Sequence, residues 1–471
     1  MAHMPKRSSK LARVLALGAL VAPAAAGAAP WEFTPRVAAG QVWTDNIQLA
    51  PDGLEESDRV TELRPGFTLA TEGPRVRLDL DYELQALWFK DFNELDDTYH
   101  QLDGNGNFVL LPESLFLDAF ARYDQQNVDT SGRMAFSNLF DTGNRTDTFV
   151  YGASPYHVGR WGSWGESLVR YQHQAVRYSN TDPGAAAVED SDTNGVSASL
   201  GSPAAARGPS WRLGGSYNRT EFEQSREYEY ARAALDLGVP VGLRTRLTGT
   251  YGQESDVAAD SSQGGLDSSF WYVGFAWEPS ELQSLEARVG ERFFGTAWEL
   301  HWRRRGSRGE LTLDYTEEPT TSAGVLGDEN IFTPGTSPGG VGSLNARVIL
   351  QKRLSGSAGY EFVRSNITAR IYSDRREYQD AIGGTDKSIG ATLDYNWDAA
   401  PRTSVGFDVN WQRTEPGADR RDNYSEIAAS LTRTMTRTLS AVFRVSHFQR
   451  NSNVDDDYKA NVVSVFLQAD F

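Results

Sequence analysis

The 471-residue chain contains no cysteine. Disulfides, thiolate metal sites and cysteine nucleophiles are therefore excluded, and stability must come from burial and hydrogen bonding. Basic residues are in deficit: 46 Lys and Arg stand against 63 Asp and Glu, a formal charge of −17. Nucleic-acid binding needs clustered cations against phosphates, so that class of partner is excluded too. Long apolar runs are missing. Past the N-terminus no stretch approaches the roughly 18 apolar residues of a membrane helix, and mean hydropathy is −0.49. Catalytic spacing is also missing. His3, His100, His157, His173, His301 and His447 form no His-Glu-x-x-His pair, and no nucleophile elbow occurs. No enzyme, cofactor or metal is indicated. Aromatics, by contrast, are plentiful: 12 Trp, 19 Tyr and 22 Phe, spaced too regularly for a disordered chain.

The N-terminus reads as an address. Lys6, Arg7, Lys10 and Arg13 form a basic region, residues 11–21 a short apolar run, and Ala26-Gly27-Ala28 a small-residue cleavage site. Residues 1–28 are expected to be a signal peptide, and 29–471 a single domain. Removal of four basic and no acidic residues takes the charge to about −21.

From Phe33 to Phe471 the dominant period is two. Leu78, Leu80, Tyr82, Leu84, Ala86 and Trp88 alternate with Arg77, Asp79, Asp81, Glu83 and Gln85. Successive strand side chains face opposite ways, so the segment has one apolar and one charged face. The pattern recurs at Trp271/Val273/Phe275/Trp277, Ile389 to Trp397, Val405 to Trp411 and Leu439 to Val445. Short links are expected at 71–74, 111–114, 160–165, 202–209, 239–242, 278–281, 306–309, 354–357, 399–402 and 435–437. Longer polar links are expected at 44–57, 92–98, 127–144, 179–192, 255–267, 317–340, 368–385, 415–423 and 450–457, with brief ones near Gln224 and Gly295. The two kinds alternate without a slip.

Soluble sandwiches also alternate, but their strands average five to six residues. These run roughly ten to fifteen, the length a tilted bilayer-crossing strand requires. The reading is an all-β, transmembrane, antiparallel outer-membrane β-barrel of about 22 strands, within roughly 18 to 24, with short periplasmic turns and long extracellular loops. Trp88, Trp161, Trp164, Trp211, Trp277, Trp298, Trp302, Trp397 and Trp411 fall near strand ends, where interfacial girdles lie. Val463, Val465, Leu467, Ala469 and terminal Phe471 have the form of the signal read by the outer-membrane assembly machinery.

Several motifs occur in order: Trp-Thr-Asp-Asn-Ile at 43–47, Glu-Ser-Asp-Arg-Val-Thr-Glu-Leu-Arg-Pro-Gly at 56–66, Arg-Leu-Asp-Leu-Asp-Tyr at 77–82, His-Gln-Leu-Asp-Gly-Asn-Gly at 100–106, Gln-Gln-Asn at 125–127, Asn-Arg-Thr-Asp at 144–147 and Ser-Pro-Tyr at 154–156. The set, strongest over residues 40–160, resembles an outer-membrane β-barrel family of Gram-negative bacteria linked to the PEP-CTERM/exosortase system and encoded among exopolysaccharide biosynthesis genes. The resemblance implies non-enzymatic export of an exopolysaccharide, with a polysaccharide substrate and periplasmic export partners. It carries no catalytic residues. A general or solute-specific porin, or a structural or adhesin-like surface barrel, would share the same strand pattern.

The charged face defines the expected lumen. Its cations are Arg77, Arg122, Arg212, Arg244, Arg246, Arg288, Arg303, Arg347 and Arg444; its anions are Asp79, Asp81, Glu83, Asp118, Asp124, Glu286, Glu299, Asp314, Asp394, Asp398 and Asp408. The two signs nearly balance, so no single-sign ring is expected, and the negative charge belongs mainly to loops. No plug domain is expected ahead of the first strand. Any constriction must come from loops folded inward, with 127–144, 317–340 and 368–385 the candidates. The acidic links with Asp52, Glu55, Glu56 and Asp58, and with Asp455, Asp456 and Asp457, are expected to be solvated. Divalent cations that bridge lipopolysaccharide are the second reading.

Overall fold

The computed structural model describes residues 30–203, 208–258, 264–327, 342–380, 382–417 and 419–471. The expected signal peptide, residues 1–28, lies outside the described residues. Twenty-two strands follow one another. They are β1 (Trp31–Thr44), β2 (Asp58–Glu72), β3 (Val76–Phe89), β4 (Asp97–Leu111), β5 (Leu115–Asn127), β6 (Arg145–Arg160), β7 (Glu166–Ser179) and β8 (Ser191–Gly201). Next are β9 (Ser210–Phe222), β10 (Tyr228–Pro240), β11 (Thr245–Glu254), β12 (Ser268–Ser280), β13 (Gln283–Arg292), β14 (Gly295–Arg305) and β15 (Gly309–Thr321). The last are β16 (Val348–Glu361), β17 (Ser365–Tyr378), β18 (Thr385–Ala400), β19 (Thr403–Pro416), β20 (Asp422–Thr434), β21 (Leu439–Ser452) and β22 (Tyr458–Asp470). A six-residue helix, α1 (Ser322–Gly327), lies in the link between β15 and β16. No helix among the described residues is long and apolar enough to cross a membrane.

Each strand pairs antiparallel with its neighbours in sequence, and β1 pairs with β22 from Arg36↔Asp470 to Thr44↔Val462. The sheet is therefore a closed barrel with no free edge, which is what lipid demands of a strand that crosses it. Strand order explains the two kinds of link. Those at one end are short, from 281–282 and 401–402 up to 202–209. Those at the other include 45–57, 128–144, 255–267 and 322–347, while 223–227 and 293–294 are brief.

The two faces are as different as the alternation implies. On β18 the outward row is Ile389, Ala391, Leu393, Tyr395 and Trp397, in register with Ser373, Ile371, Ala369, Ile367 and Ser365 of β17. Eight residue steps span about 26 Å of strand, or about 20 Å of height at the tilt typical of such barrels. Ile389, Leu393 and Trp397 are exposed, as are Trp271, Val273, Phe275 and Trp277. This inside-out exposure is a lipid-facing band, not a solvent surface. Rings of Phe33, Phe67, Tyr82, His100, Tyr123 and Phe149 run contiguously across β1 to β6, with centroids 5.5 to 6.1 Å apart.

Two links differ from the sequence reading. Residues 354–357 are no turn; they lie mid-strand in β16, and the turn is 362–364. Leu-Ser-Gly-Ser looks turn-forming, but the serines face the lumen beside Tyr372 and Arg370, where bulky residues opposite leave room only for small ones. Residues 368–385 are not a loop. They are mostly β17, and the link is 379–384. The run Ser373–Glu377 reads as polar because the outward face leaves the apolar band there.

Gly290 of β13 lies where a Cβ would stand 1.8 Å from the Trp271 carbonyl oxygen. Backbone, not a movable side chain, occupies that space. Gly290→Val should cost roughly 1–3 kcal/mol by overpacking and lower the yield of heat-resistant folded barrel on unboiled gels. An unchanged yield and denaturation midpoint would contradict this.

Candidate functional site: a roofed hydrophilic lumen

Lumen-facing positions converge on a chamber of about 930 Å³. Its wall includes Glu62 and Arg64 of β2, Asp81 and Glu83 of β3, Asp103 of β4, Arg122 and Asp124 of β5, Arg370 of β17, Asp394 of β18, Asp408 of β19, Glu426 of β20 and Arg444 of β21. A smaller hollow of about 290 Å³ shares Arg64, Glu83, Arg444 and Phe466 and adds Arg36 and Gln468, toward the short-turn end.

The charges are cross-braced. Arg36 grips Asp81 with two nitrogens, one at 2.6 Å. Arg122 meets Asp103 at 3.5 Å, Arg170 meets Asp118 at 2.9 Å, and Arg370 meets Asp394 at 2.9 Å. Arg288 meets Glu299 at 2.6 Å, Arg303 meets Glu310 at 2.5 Å, and Arg444 meets Asp408 at 2.5 Å. Partly exposed pairs of this kind, all but Arg288–Glu299 whose carboxylate is buried, contribute only about 0–1 kcal/mol each. Their larger consequence is a wall of alternating sign, not a one-sign filter.

Of the remaining sequence candidates, Arg77 pairs with Glu72 at the short-turn end, Asp79 shares the face of Asp81, and Arg246 donates to Ser210. Arg244 and Arg347 do not line the wall. Arg244 sits in the turn 241–244. Arg347 precedes β16 at the rim, 2.5 Å from Asp380 and stacked on Tyr378 at 3.8 Å. Both lie beyond strand ends, where alternation no longer says which way a side chain points. Arg36, Arg64, Arg170 and Arg370 were missed, although each holds an inward parity beside an apolar neighbour.

The outer end of the lumen is crossed by two loops. In 128–144, Met134, Phe136, Leu139 and Phe140 are buried against Val60, Leu87, Phe89, Tyr424, Phe448, Tyr458 and Phe466 on the inner wall. Tyr458 donates its hydroxyl to the Met134 carbonyl at 2.9 Å, and Arg145 donates to Asn138 at 2.8 Å. In 322–347, α1 packs Ala323, Val325 and Leu326 against Val150, Val176 and Ile349, and Gln174 donates to the Ala323 carbonyl at 2.7 Å. The loops are joined. Leu344 N–H donates to the Val128 carbonyl at 2.8 Å, and Ser343 Oγ donates to Asp129 at 3.2 Å. Burying one large apolar side chain is worth about 1.5–3 kcal/mol, so this roof is a fixed part of the fold. Its signal was present in the sequence: the apolar run Met-Ala-Phe-Ser-Asn-Leu-Phe inside a polar link. Residues 328–341 of the second loop lie outside the described residues.

A second brace lies on the wall. Arg292 and Glu254, both fully buried, meet at 2.7 Å, with the Tyr230 hydroxyl donating to Glu254 at 2.7 Å and Glu318 3.1 Å from Arg292.

At the rim the acidic links are engaged locally. Asp58 accepts from Arg59 and Asp91 N–H groups, Asp52 meets Lys459 at 3.0 Å, and Asp457 accepts from Ser452 N–H. Asp455 binds Arg450 at 3.0 Å and Arg420 at 2.5 Å. The hydrogen bond from Arg450, and then the charge of Arg420, hold its carboxyl below the usual range despite some desolvation. No cluster of three metal-ligating side chains occurs among the described residues. His100 is hydrogen-bonded to Tyr82 at 2.8 Å on the outer face. Val463, Val465 and Leu467 face outward, and Phe471 donates its N–H to the Pro35 carbonyl at 3.0 Å across the seam.

Fold and lumen together define a large outer-membrane-type β-barrel roofed by its own loops. No protein-family model and no curated protein matches the chain. Among solved structures, a mutant ferric enterobactin receptor, PfeA, of Pseudomonas aeruginosa is similar at TM-score 0.47 and 10% identity, over 93% of this chain and 80% of that one. The outer membrane protein opdK of the same organism is similar at 0.36 and 10%, over 94% and 99%. An anion-selective porin from Comamonas acidovorans is similar at 0.34 and 10%, over 94% and 100%.

Glu254→Ala should destabilise the barrel by about 3 kcal/mol, since it leaves the buried Arg292 with Glu318 as its one carboxylate partner among the described residues. Urea unfolding followed by tryptophan fluorescence reads this directly; a shift under about 0.5 kcal/mol would refute the brace. A second expectation concerns pH. A carboxyl whose folded pKa is depressed contributes ordering above its unfolded value, near 3.9, and loses it as pH falls through the folded value. Hydrogen exchange in residues 453–457 should therefore be flat from pH 7 to 5, once corrected for intrinsic rates, and lose protection only below about pH 4. Loss of protection between pH 7 and 5 would count against the Asp455 clamp.

Proposed function

We propose that this protein is a non-enzymatic outer-membrane conduit for a polyhydroxylated polymer, an exopolysaccharide, and that the roof keeps its outer mouth shut until export begins. The observation that carries the reading is the chamber. It offers donors and acceptors of both signs together with the apolar rings of Phe136, Phe448 and Phe466. Sugars present hydroxyls at their edges and apolar C–H faces, so such a wall can slide past them without a single strong trap. Arginines interspersed among the carboxylates, five against eight around the chamber, also suit a polyhydroxylated substrate better than a one-sign ring would. The resemblance over residues 40–160 to the PEP-CTERM/exosortase-linked barrels supports the polymer as cargo. Periplasmic export partners would then supply the drive, and the assembly machinery would read the β22 row ending in Phe471.

A roof fixed by buried side chains favours a gated conduit over a constantly open porin. In planar bilayers the wild-type protein should conduct weakly, and a variant lacking residues 132–142 should conduct at least several-fold more. Cells without the protein should make polymer that fails to reach the surface. A large steady wild-type conductance would transfer support to the porin. Normal surface polymer, with no conductance from either form, would transfer it to the structural or adhesin-like barrel.

A further inference from the structure

We propose that the outer rim of β16 to β19 is a binding site for the phosphates of lipopolysaccharide in the outer leaflet. Lys352, Arg375 and Lys387 stand directly opposite one another on three adjacent strands, Lys352↔Arg375 and Arg375↔Lys387. They share the parity of Ile371 and Ile389, so they face outward. Arg413 of β19 is opposite Ile389, one row nearer the apolar band.

Like charges in direct cross-strand register repel, and the local acids do not cancel them. Glu377 serves both Arg375, at 2.8 Å, and Lys352, at 3.4 Å. Glu317, across from Lys352, accepts the Tyr315 hydroxyl at 2.7 Å. Glu415, across from Lys387, is paired with Arg421 at 3.1 Å. Arg413 donates to the neutral Asn423 at 2.8 Å. With Arg421 included, five cations face three carboxylates, on a chain of net charge −17. Two other outward cations of the described rim are flanked by acids: Arg177 by Asp190 and Asp192, Arg219 by Glu221, Glu227 and Glu229.

Position selects the occupant. Lys387 lies one outward step beyond Ile389, at the long-loop end of the apolar band, which is the headgroup level of the outer leaflet. There the compatible anion is a lipid phosphate. Lysines and an arginine spaced across three strands suit a headgroup with more than one phosphate, since guanidinium and ammonium groups form charge-assisted bonds to phosphate oxygens. The proposal requires only that the barrel sits in the outer membrane; it stands whether or not the cargo is a polysaccharide.

The test uses the full-length barrel in detergent, native mass spectrometry, and added bis-phosphorylated lipid A. The wild type should retain it, and Lys352→Gln/Arg375→Gln/Lys387→Gln should lose at least tenfold in apparent affinity. Arg177→Gln/Arg219→Gln, on another part of the rim, should bind as the wild type does. Heat-resistant mobility on gels confirms that each variant is folded. Should the triple variant misfold, Lys387→Gln alone should still weaken binding severalfold. Undiminished binding by the folded triple variant would overturn the site. So would equal retention of dephosphorylated lipid A or of phosphatidylglycerol.

Discussion

Every backbone amide that enters lipid must find its partner within the protein, because nothing there replaces water. For strands, that constraint has one solution, closure. The seam between β1 and β22, from Arg36↔Asp470 to Thr44↔Val462, converts an open sheet into a barrel. It also accounts for the even strand number, since the first and last strands must run antiparallel from the same end. The rest follows in order. A closed sheet has an inside and an outside, each strand contributes to both in alternation, and lipid contact makes the outside apolar. The protein thereby buries charge and exposes Trp, Leu and Ile, the reverse of a soluble fold.

Closure creates a second problem, a wide polar lumen. Here the wall partly fills itself. Arginine is suited to this role because its planar fork reaches a neighbouring strand and satisfies carboxylates in two directions, as Arg36 does with Asp81 and Glu83. The pairs are individually weak. Their combined effect is a wall in which arginines are interspersed with carboxylates, five against eight around the chamber.

Much of this was legible in the residues. Alternation with lengths near fourteen marks membrane strands, and the long and short links keep their order around the whole barrel. Legibility failed where one face ceased to be apolar. In β17 the outward face passes from Ile371 to Ser373, Arg375 and Glu377, so period two carries no hydrophobic contrast and the strand looks like a loop. In β16 the inward Ser355 and Ser357 mimic a turn, because their size is set by Tyr372 and Arg370 on the next strand. Arg244 and Arg347 failed for a related reason, as parity has no meaning past a strand end. The polar half of the lumen was readable from parity. The pairing of each arginine was not, because it depends on which strands stand side by side.

The roof shows where the two solvents of this fold meet. At mid-height the lumen wall is charged and the outer wall apolar. At the outer end the sense reverses: Val60, Phe89, Tyr424 and Phe448 point inward, and outward positions carry Lys352, Arg375 and Lys387. The reversal is physically required. Above the lipid the exterior meets water and headgroups, so apolar area there must be covered from within. Residues 128–144 of one loop, and 322–327 with 342–347 of the other, supply that cover, each loop with a small hydrophobic core built on the wall. An apolar inner rim and a charged outer rim are thus two consequences of one boundary. The same step that places the outward cations at headgroup level gives the roof a surface on which to fold. Any opening of the mouth must therefore peel apolar side chains from the rim, which ties gating to the same residues that mark where the membrane ends.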